Sequence, residues 1–285
     1  MAAGSATPFE RVGPLEAREF KEIQRLAYRT FGLDLHSGKE ELVNSRLRRL
    51  VVSGGFPSFR DYCRSVLSDR SGAALADMID ALTTNHTAFL RERDHFDFLA
   101  ARAGELFEQR RTVEIWSAGC ATGEEVWSLA SVLDAAGAGT RVHIWGTDIS
   151  NRALRAAAEA VYPADRCRSL PAPWLSRYFE PDFRKEHYRV AAPVRSRVSF
   201  QRLNLAENFS WPRRFPVIFC RNVMIYFDQS VQQRVVGRVE QALEPGGYLF
   251  IGHAETLMRV SHSLEYVQPA IYRKRQTKGW PWTRS

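Results

Sequence analysis

The sequence predicts an α/β protein in which a mostly parallel, Rossmann-like sheet follows a helical N-terminal region. Three observations carry that prediction. From Val113 onward, apolar runs of strand length alternate with amphipathic runs of helix length, the grammar of βα units with helices on both faces of one sheet. Residues 1–112 instead read as helical throughout. Between them, VEIWSAGCATGEEVWSLA (113–130) passes from an apolar strand through a small-residue loop into a helix opened by paired glutamates, which builds a ligand site at the mouth of such a sheet.

In the helical region, Leu42, Val43, Leu47, Leu50 and Val51 fall within one half of a 3.6-period wheel and predict a helix over 40–51. Arg48 and Arg49 project from its other side, while Arg46 lies inside the apolar arc near its edge. Ser53-Gly54-Gly55 ends it, and further helices are predicted over 58–67 and 74–82. Beyond these, strands are predicted over 113–117, 141–147, 216–220 and 248–252, and helices over 124–136, 151–160 and 229–243. The last carries Val231, Val235, Val236, Val239 and Leu243 on one face and stops at Pro245-Gly246-Gly247. Residues 162–201 break the rhythm with a short helix over 173–178 and strand-like pieces at 187–191 and 197–202, an insertion whose second strand can rejoin the main sheet. A final edge strand is expected within 264–272. The expected organisation is a flexible N-terminus (1–14), a helical domain with linker (15–96), a larger domain (97–275) containing the insertion, and a tail (276–285).

Apolar residues make up 45% of the chain and charged residues 25%, ordinary for a soluble globular protein. The N-terminus has no apolar leader core, and no stretch approaches the roughly 18 apolar residues of a membrane span. Cys63, Cys120, Cys167 and Cys220 lack metal-ligand spacing, so no metal site, no membrane insertion and a reduced, cytoplasmic setting are expected. The net charge of +8 raises nucleic acid as a partner. Residues 1–112 contribute a surplus of only one, whereas 162–214 hold 11 basic against 5 acidic residues, a local patch suited to any acidic surface.

The chemistry of the loop narrows its ligand. Gly119 and Gly123 allow close backbone approach, but Glu124 and Glu125 would repel the pyrophosphate of a dinucleotide. No Lys-Ser/Thr follows Gly123, which removes the P-loop reading. A cationic adenosine ligand fits better, and S-adenosyl-L-methionine carries both a sulfonium and an ammonium. Asp148 closes the second strand in WGTDIS, where it either grips a ribose diol or caps the helix from Asn151. Asn204-Leu205 and Cys220-Arg221-Asn222 stand at the ends of neighbouring strands and face the same crevice. In TTNHTAFLRERDHF (83–96), Thr84, Asn85 and Thr87 cluster ahead of a helix expected to begin near Ala88, with Arg91 close behind Phe89. His86 and His95 have no partner at a metal-binding interval.

TTNHTAFLRE, WSAGCATGEE, GTDIS and CRNVMIYFD resemble, in order and spacing, the motifs of the chemotaxis receptor methyltransferases, the CheR family, over about residues 15–272. The resemblance implies a class I S-adenosylmethionine-dependent methyltransferase with a helical N-terminal domain and a small inserted β-subdomain. It implies protein-glutamate O-methylation of the cytoplasmic helical domains of chemoreceptors; separately, a monomer is expected. It places Asn85, Thr87, Arg91 and Gly119 against the cofactor, Glu125 rather than Glu124 at its methionine end or ribose, and Asp148 on the ribose. Asn204 and Leu205 would flank the adenine, Arg221 and Asn222 line the crevice, and Tyr226 sit near the methyl. Arg91 would orient the incoming carboxylate, and Arg46, Arg48 and Arg49 would dock the receptor. The chain departs from the pattern at Leu90, at Val126-Trp127 and at Ala254, and EPDFRKEHYRV lacks the glycine-rich turn of members that dock a receptor C-terminal peptide, so independence of such a peptide is expected. A nucleic-acid methyltransferase is disfavoured because no Asn/Asp-Pro-Pro-aromatic loop follows the fourth strand. A non-catalytic module that binds cofactor or receptor is the alternative.

Overall fold

The computed structural model describes residues 12–108 and 110–276, so the expected flexible N-terminus and tail lie almost wholly outside the described residues. Contacts divide the chain into two compact units, one up to residue 84 and one from residue 85. In the first, α1 (Ala17–Phe31), α2 (Glu40–Ser53), α3 (Phe59–Ser68) and α4 (Ala73–Leu82) pack on one another. Phe20, Ile23, Ala27 and Phe31 recur at helical spacing and are all buried, and Gly32, at φ 70°, turns the chain out of α1. On α2 the buried positions are Val43, Leu47 and Val51, whereas Leu42 at the edge of the expected arc is exposed.

The second unit begins with α5 (Arg93–Ala101) and α6 (Ala103–Phe107) and then alternates: β1 (Val113–Ala118), α7 (Glu124–Ala135), β2 (Val142–Asp148), α8 (Asn151–Glu159). The insertion supplies β3 (Val161–Pro163), α9 (Ala172–Tyr178), β4 (Phe179–Pro181), β5 (His187–Val190) and α10 (Ala192–Arg195). β6 (Val198–Arg202), β7 (Phe215–Cys220), α11 (Gln229–Ala242), β8 (Leu243–Ile251), β9 (Glu265–Gln268) and β10 (Ile271–Arg273) complete it. Among the described residues, seven strands form one sheet in the order β6-β2-β1-β7-β8-β10-β9, and β3-β5-β4 form a small antiparallel sheet. β6, β2, β1, β7 and β8 run parallel, and β10 lies antiparallel between β8 and the edge strand β9. β6 therefore does leave the insertion and return beside β2. Strand alternation separates two apolar cores. Ile115 and Val217 face Val126, Trp127 and Leu129 of α7, while Trp116 and Ile218 face Val231, Val235 and Val239 of α11.

Three expected elements are corrected. The helix expected near Ala88 begins at Arg93, because Leu90 and Glu92 adopt φ 54° and 57°, which no α-helix accommodates. The last parallel strand begins at Leu243, directly after α11, and takes Pro245-Gly246-Gly247 into its length with a shift of register. The stretch 264–272 is two strands rather than one, turning through Ala270 at φ 61°. Among the described residues, no helix is long and apolar enough to cross a membrane.

Candidate functional site

The loop between β1 and α7 is wound by backbone. Gly119, Ala121 and Gly123 all have positive φ (81°, 48° and 93°), and the N–H groups of Gly119 and Cys120 both donate to Thr147 O, at 2.7 and 2.9 Å. A β-carbon on Gly119 would lie 2.3 Å from Val223 Cγ2, so the loop is pressed against the segment after β7 and only glycine fits. Asp148, buried at the tip of β2, ties this loop to the next helix. Its Oδ2 accepts the Ala121 N–H and its Oδ1 the Ser150 N–H, both at 2.9 Å. The cap of α8 is Ser150, whose Oγ accepts from Ala153 N, so Asp148 shapes the turn before the helix rather than capping it. Asn85 Nδ2 donates to the same Ser150 Oγ at 3.3 Å, bringing the 83–96 motif to the tip of β2.

The second part of the site is built around Arg221, which follows β7. Its Nη2 donates to Arg91 O and lies 3.1 Å from Glu92 Oε2, while Nη1 lies 3.4 Å from Glu125 Oε2. The guanidinium also sits over the rings of Phe96 and Phe219, at 5.4 and 5.6 Å. Asn222 Nδ2 donates to Glu92 Oε1 at 3.3 Å, and Ser117 Oγ at the end of β1 donates to Glu125 Oε1 at 2.7 Å. Burial pushes the Glu125 carboxyl up, and the Arg221 charge offsets only part of that. For Glu92, burial pushes up too, but Arg221 and the Asn222 amide outweigh it and hold the carboxyl below its ordinary value. Arg91 is the half-exposed member: Nη1 donates to His86 O at 3.1 Å, and Nε is 3.9 Å from Glu92 Oε1.

Glu124 and Glu125, adjacent in sequence, part company in space. Glu124 is fully buried; Thr122 Oγ1 donates to it at 2.6 Å, and Arg166 Nη2 from the insertion lies 2.9 Å away. Arg166 also donates to Thr87 O at 3.3 Å, and Ser169 Oγ donates to Phe89 O at 3.1 Å, so the insertion holds down the 87–89 backbone. Asn204 lies just past β6, its Oδ1 accepting from Ala206 N and its Nδ2 donating to Glu207. Leu205 turns its side chain into the apolar core with Trp116 and Ile218. Tyr226 ends a single 3₁₀ turn, Met224–Tyr226, four residues after Asn222 and half-buried.

The structure thus joins Arg91, Glu125, Arg221 and Asn222 in one charge cluster, and Asn85, Gly119 and Asp148 in one loop network. Arg46, Arg48 and Arg49 belong to the other unit. There Arg46 donates to Leu82 O and Thr84 Oγ1 at 2.5 and 2.8 Å, which explains its place at the apolar edge of α2. Arg48 donates to Val12 O and Gly13 O, and Arg49 is exposed. Sequence reasoning passed over Glu92 and Glu255. The first stands inside the 83–96 motif; the second receives backbone N–H groups from two loops. Glu92, His95 and His253 also bring potential ligand atoms within 4.8 Å of one another. Glu92 is paired with Arg221 and His253 with Asp94, each at 3.1 Å, while among the described residues neither ring nitrogen of His95 has a hydrogen-bond partner.

Family models match both units. The CheR methyltransferase all-alpha domain matches residues 18–83, and the CheR methyltransferase SAM-binding domain matches residues 85–272. The chain belongs to the CheR methyltransferase family. A chemotaxis protein methyltransferase of Borreliella burgdorferi is 36% identical over 267 residues, covering 90% of this chain and 94% of that protein. Chemotaxis protein methyltransferase 2 of Pseudomonas aeruginosa is 37% identical over 261 residues, 89% and 92% of the two chains. A chemotaxis protein methyltransferase of Klebsiella aerogenes is 37% identical over 265 residues, 91% and 90%. The chain is a methyltransferase, and its cofactor is S-adenosyl-L-methionine. The donor set fits that molecule: Glu125, held by Ser117 near the end of β1, and Asp148, at the end of β2, suit a cationic ligand with a ribose diol, and the acidic start of α7 does not suit a pyrophosphate.

Proposed function

We propose that this protein transfers a methyl group from S-adenosyl-L-methionine to glutamate side chains on the cytoplasmic helical domains of chemoreceptors, forming the methyl esters of sensory adaptation. The observation that carries the reading is Arg91, a half-exposed guanidinium beside the buried Arg221 and its partners Glu92 and Glu125. Its similarity to chemotaxis protein methyltransferases supports the chemotaxis setting. We propose that the enzyme works as a cytoplasmic monomer on protein rather than nucleic acid.

A glutamate with a pKa near ~4.3 is already ionised at neutral pH, so the reaction needs no general base. Bound S-adenosyl-L-methionine supplies an electrophilic methyl on its sulfonium. The chain's task is alignment and exclusion of water. Asp148, with Asn85 and the Gly119 loop, would hold the ribose end; Glu125 would face the charged methionine end or the ribose; Asn204 and Leu205 would border the adenine. Thr87, fixed through its carbonyl by Arg166, would stand against the cofactor. Arg91 forks onto the two oxygens of the incoming glutamate, and Tyr226 shapes the approach to the methyl.

Incubating the full chain with S-adenosyl-L-methionine and receptor cytoplasmic fragments, followed by peptide mass spectrometry, tests the reading. Specific glutamates should each become heavier by one methylene, and replacing them by alanine should remove the signal. Methylation confined to lysine or arginine nitrogens would overturn it.

A further inference from the structure

We propose that Glu255 is a positioning residue that sets the loop after β7 in the shape methyl transfer requires, without itself touching cofactor or substrate. The inference rests on the methyltransferase reading of the site above. Glu255 lies just beyond β8, the parallel neighbour of β7. Its Oε2 accepts the N–H of Gly252 at 2.6 Å and of Asn222 at 2.9 Å; its Oε1 accepts the N–H of Met224 at 2.7 Å and of Ile225 at 3.3 Å. A carboxylate has about four lone-pair sites, so four backbone donors saturate it and leave no role as a base or ligand.

The loop it holds carries one unusual backbone conformation. Asn222 sits at φ 58°, in the left-handed region that Asn enters more readily than most residues with a β-carbon. Both of its nitrogen donors are taken by acids: the backbone N–H by Glu255 and the side-chain amide by Glu92. Gly252 permits the contact, since a β-carbon there would lie 2.3 Å from Asn222 Nδ2. The Met224 and Ile225 N–H groups belong to the same short turn that ends at Tyr226, so one carboxylate sets a crevice residue and the turn carrying the candidate methyl-approach residue.

The chemistry separates two substitutions. Glu255→Gln keeps the size but offers one acceptor oxygen, and its NH₂ opposes the remaining N–H groups. Glu255→Asp keeps the charge and both oxygens on a shorter arm. Hydrogen exchange on the full chain, without substrate, should show the amides of 222, 224, 225 and 252 exchanging at least about tenfold faster in Glu255→Gln, with the rest of the unit unchanged. S-adenosyl-L-methionine affinity should weaken no more than about threefold, while kcat on receptor fragments falls roughly tenfold or more and Glu255→Asp recovers part of it. Wild-type exchange at those four amides, or kcat within twofold of wild type, would overturn the proposal. So would uniformly faster exchange through the unit with Glu255→Asp no better than Glu255→Gln. Failure of the wild-type chain to methylate receptor fragments would instead strike at the functional reading, and the exchange result would still decide the role of Glu255.

Discussion

Glu92 Oε2 lies 3.1 Å from Nη2 of Arg221, and the Arg221 side chain is only 1% exposed. The residue after Arg91 therefore supplies a counter-charge to a cation more than a hundred positions away, and Asn222 shares the same carboxylate. Glu92→Gln leaves Arg221 with Glu125 alone at 3.4 Å, which should cost about 3 kcal/mol of stability at neutral pH. The carboxyl of Glu92 is held below its ordinary value, so its stabilisation is present above the unfolded pKa near ~4.3 and lost as pH falls below it. Urea unfolding of the two proteins should show a gap at pH 7 that narrows below about pH 4; a constant gap would contradict the pairing.

His95 gives a second pH dependence at higher pH. Its ring is fully buried, 5.5 Å from the Phe250 ring, and burial together with the Arg221 charge depresses its pKa to about 4. In the unfolded chain a histidine titrates near ~6.5, so the folded state binds fewer protons between those values and stability falls as pH drops through that window. His95→Phe should remove about 2 to 3 kcal/mol of the stability lost between pH 7 and pH 4. An unchanged difference between the two pH values would show that His95 is not the group responsible.

Gly119 should tolerate no side chain. Gly119→Ala places a methyl 2.3 Å from Val223 Cγ2 at φ 81°, so cofactor affinity should fall at least about tenfold by calorimetry. Gly119→Ala combined with Val223→Ala should recover part of the loss, because the clash is relieved and the backbone strain is not. Equal losses in the single and double variants would mean that the clash plays no part.

The fold and the strand-end residues are legible in the sequence for a common reason. Runs such as VEIWSA and FPVIFC need burial on both faces, which only a parallel sheet between helices offers, and the polar residue that ends each run then stands at the crevice. Asp148, Arg221 and Asn222 were readable in this way. Glu92, Arg166 and Glu255 were not, because each pairs with groups distant in the chain and each looks in sequence like an ordinary solvated charge. The start of α5 was misplaced because Leu90 and Glu92 take left-handed conformations that propensity does not anticipate. Arg46 on α2 hinted at its own role: a charge within an apolar arc needs partners, and it finds Leu82 O and Thr84 Oγ1.

Arg46 and Arg49 of α2 should therefore separate by experiment. Arg46→Ala should lower the stability of the helical unit by about 1 kcal/mol through lost hydrogen bonds to Leu82 and Thr84. Arg49→Glu, at an exposed position, should leave stability unchanged and weaken receptor methylation without altering cofactor affinity. Unchanged methylation by the Arg49 variant would leave α2 as a solvated face.

Arg91→Ala should leave thermal unfolding near wild type, because its side chain is 37% exposed and its ion pair with Glu92 is long at 3.9 Å. Turnover on receptor fragments should nonetheless fall roughly a hundredfold through loss of the carboxylate fork. Near wild-type turnover would remove Arg91 from the mechanism.

The most direct measurement uses methyl-labelled S-adenosyl-L-methionine with receptor cytoplasmic fragments, followed by mild alkali and collection of volatile label. The account predicts label on the fragment that alkali releases as methanol, as the proposed glutamyl methyl ester requires. Label that resists alkali would place the methyl on nitrogen or carbon and contradict it.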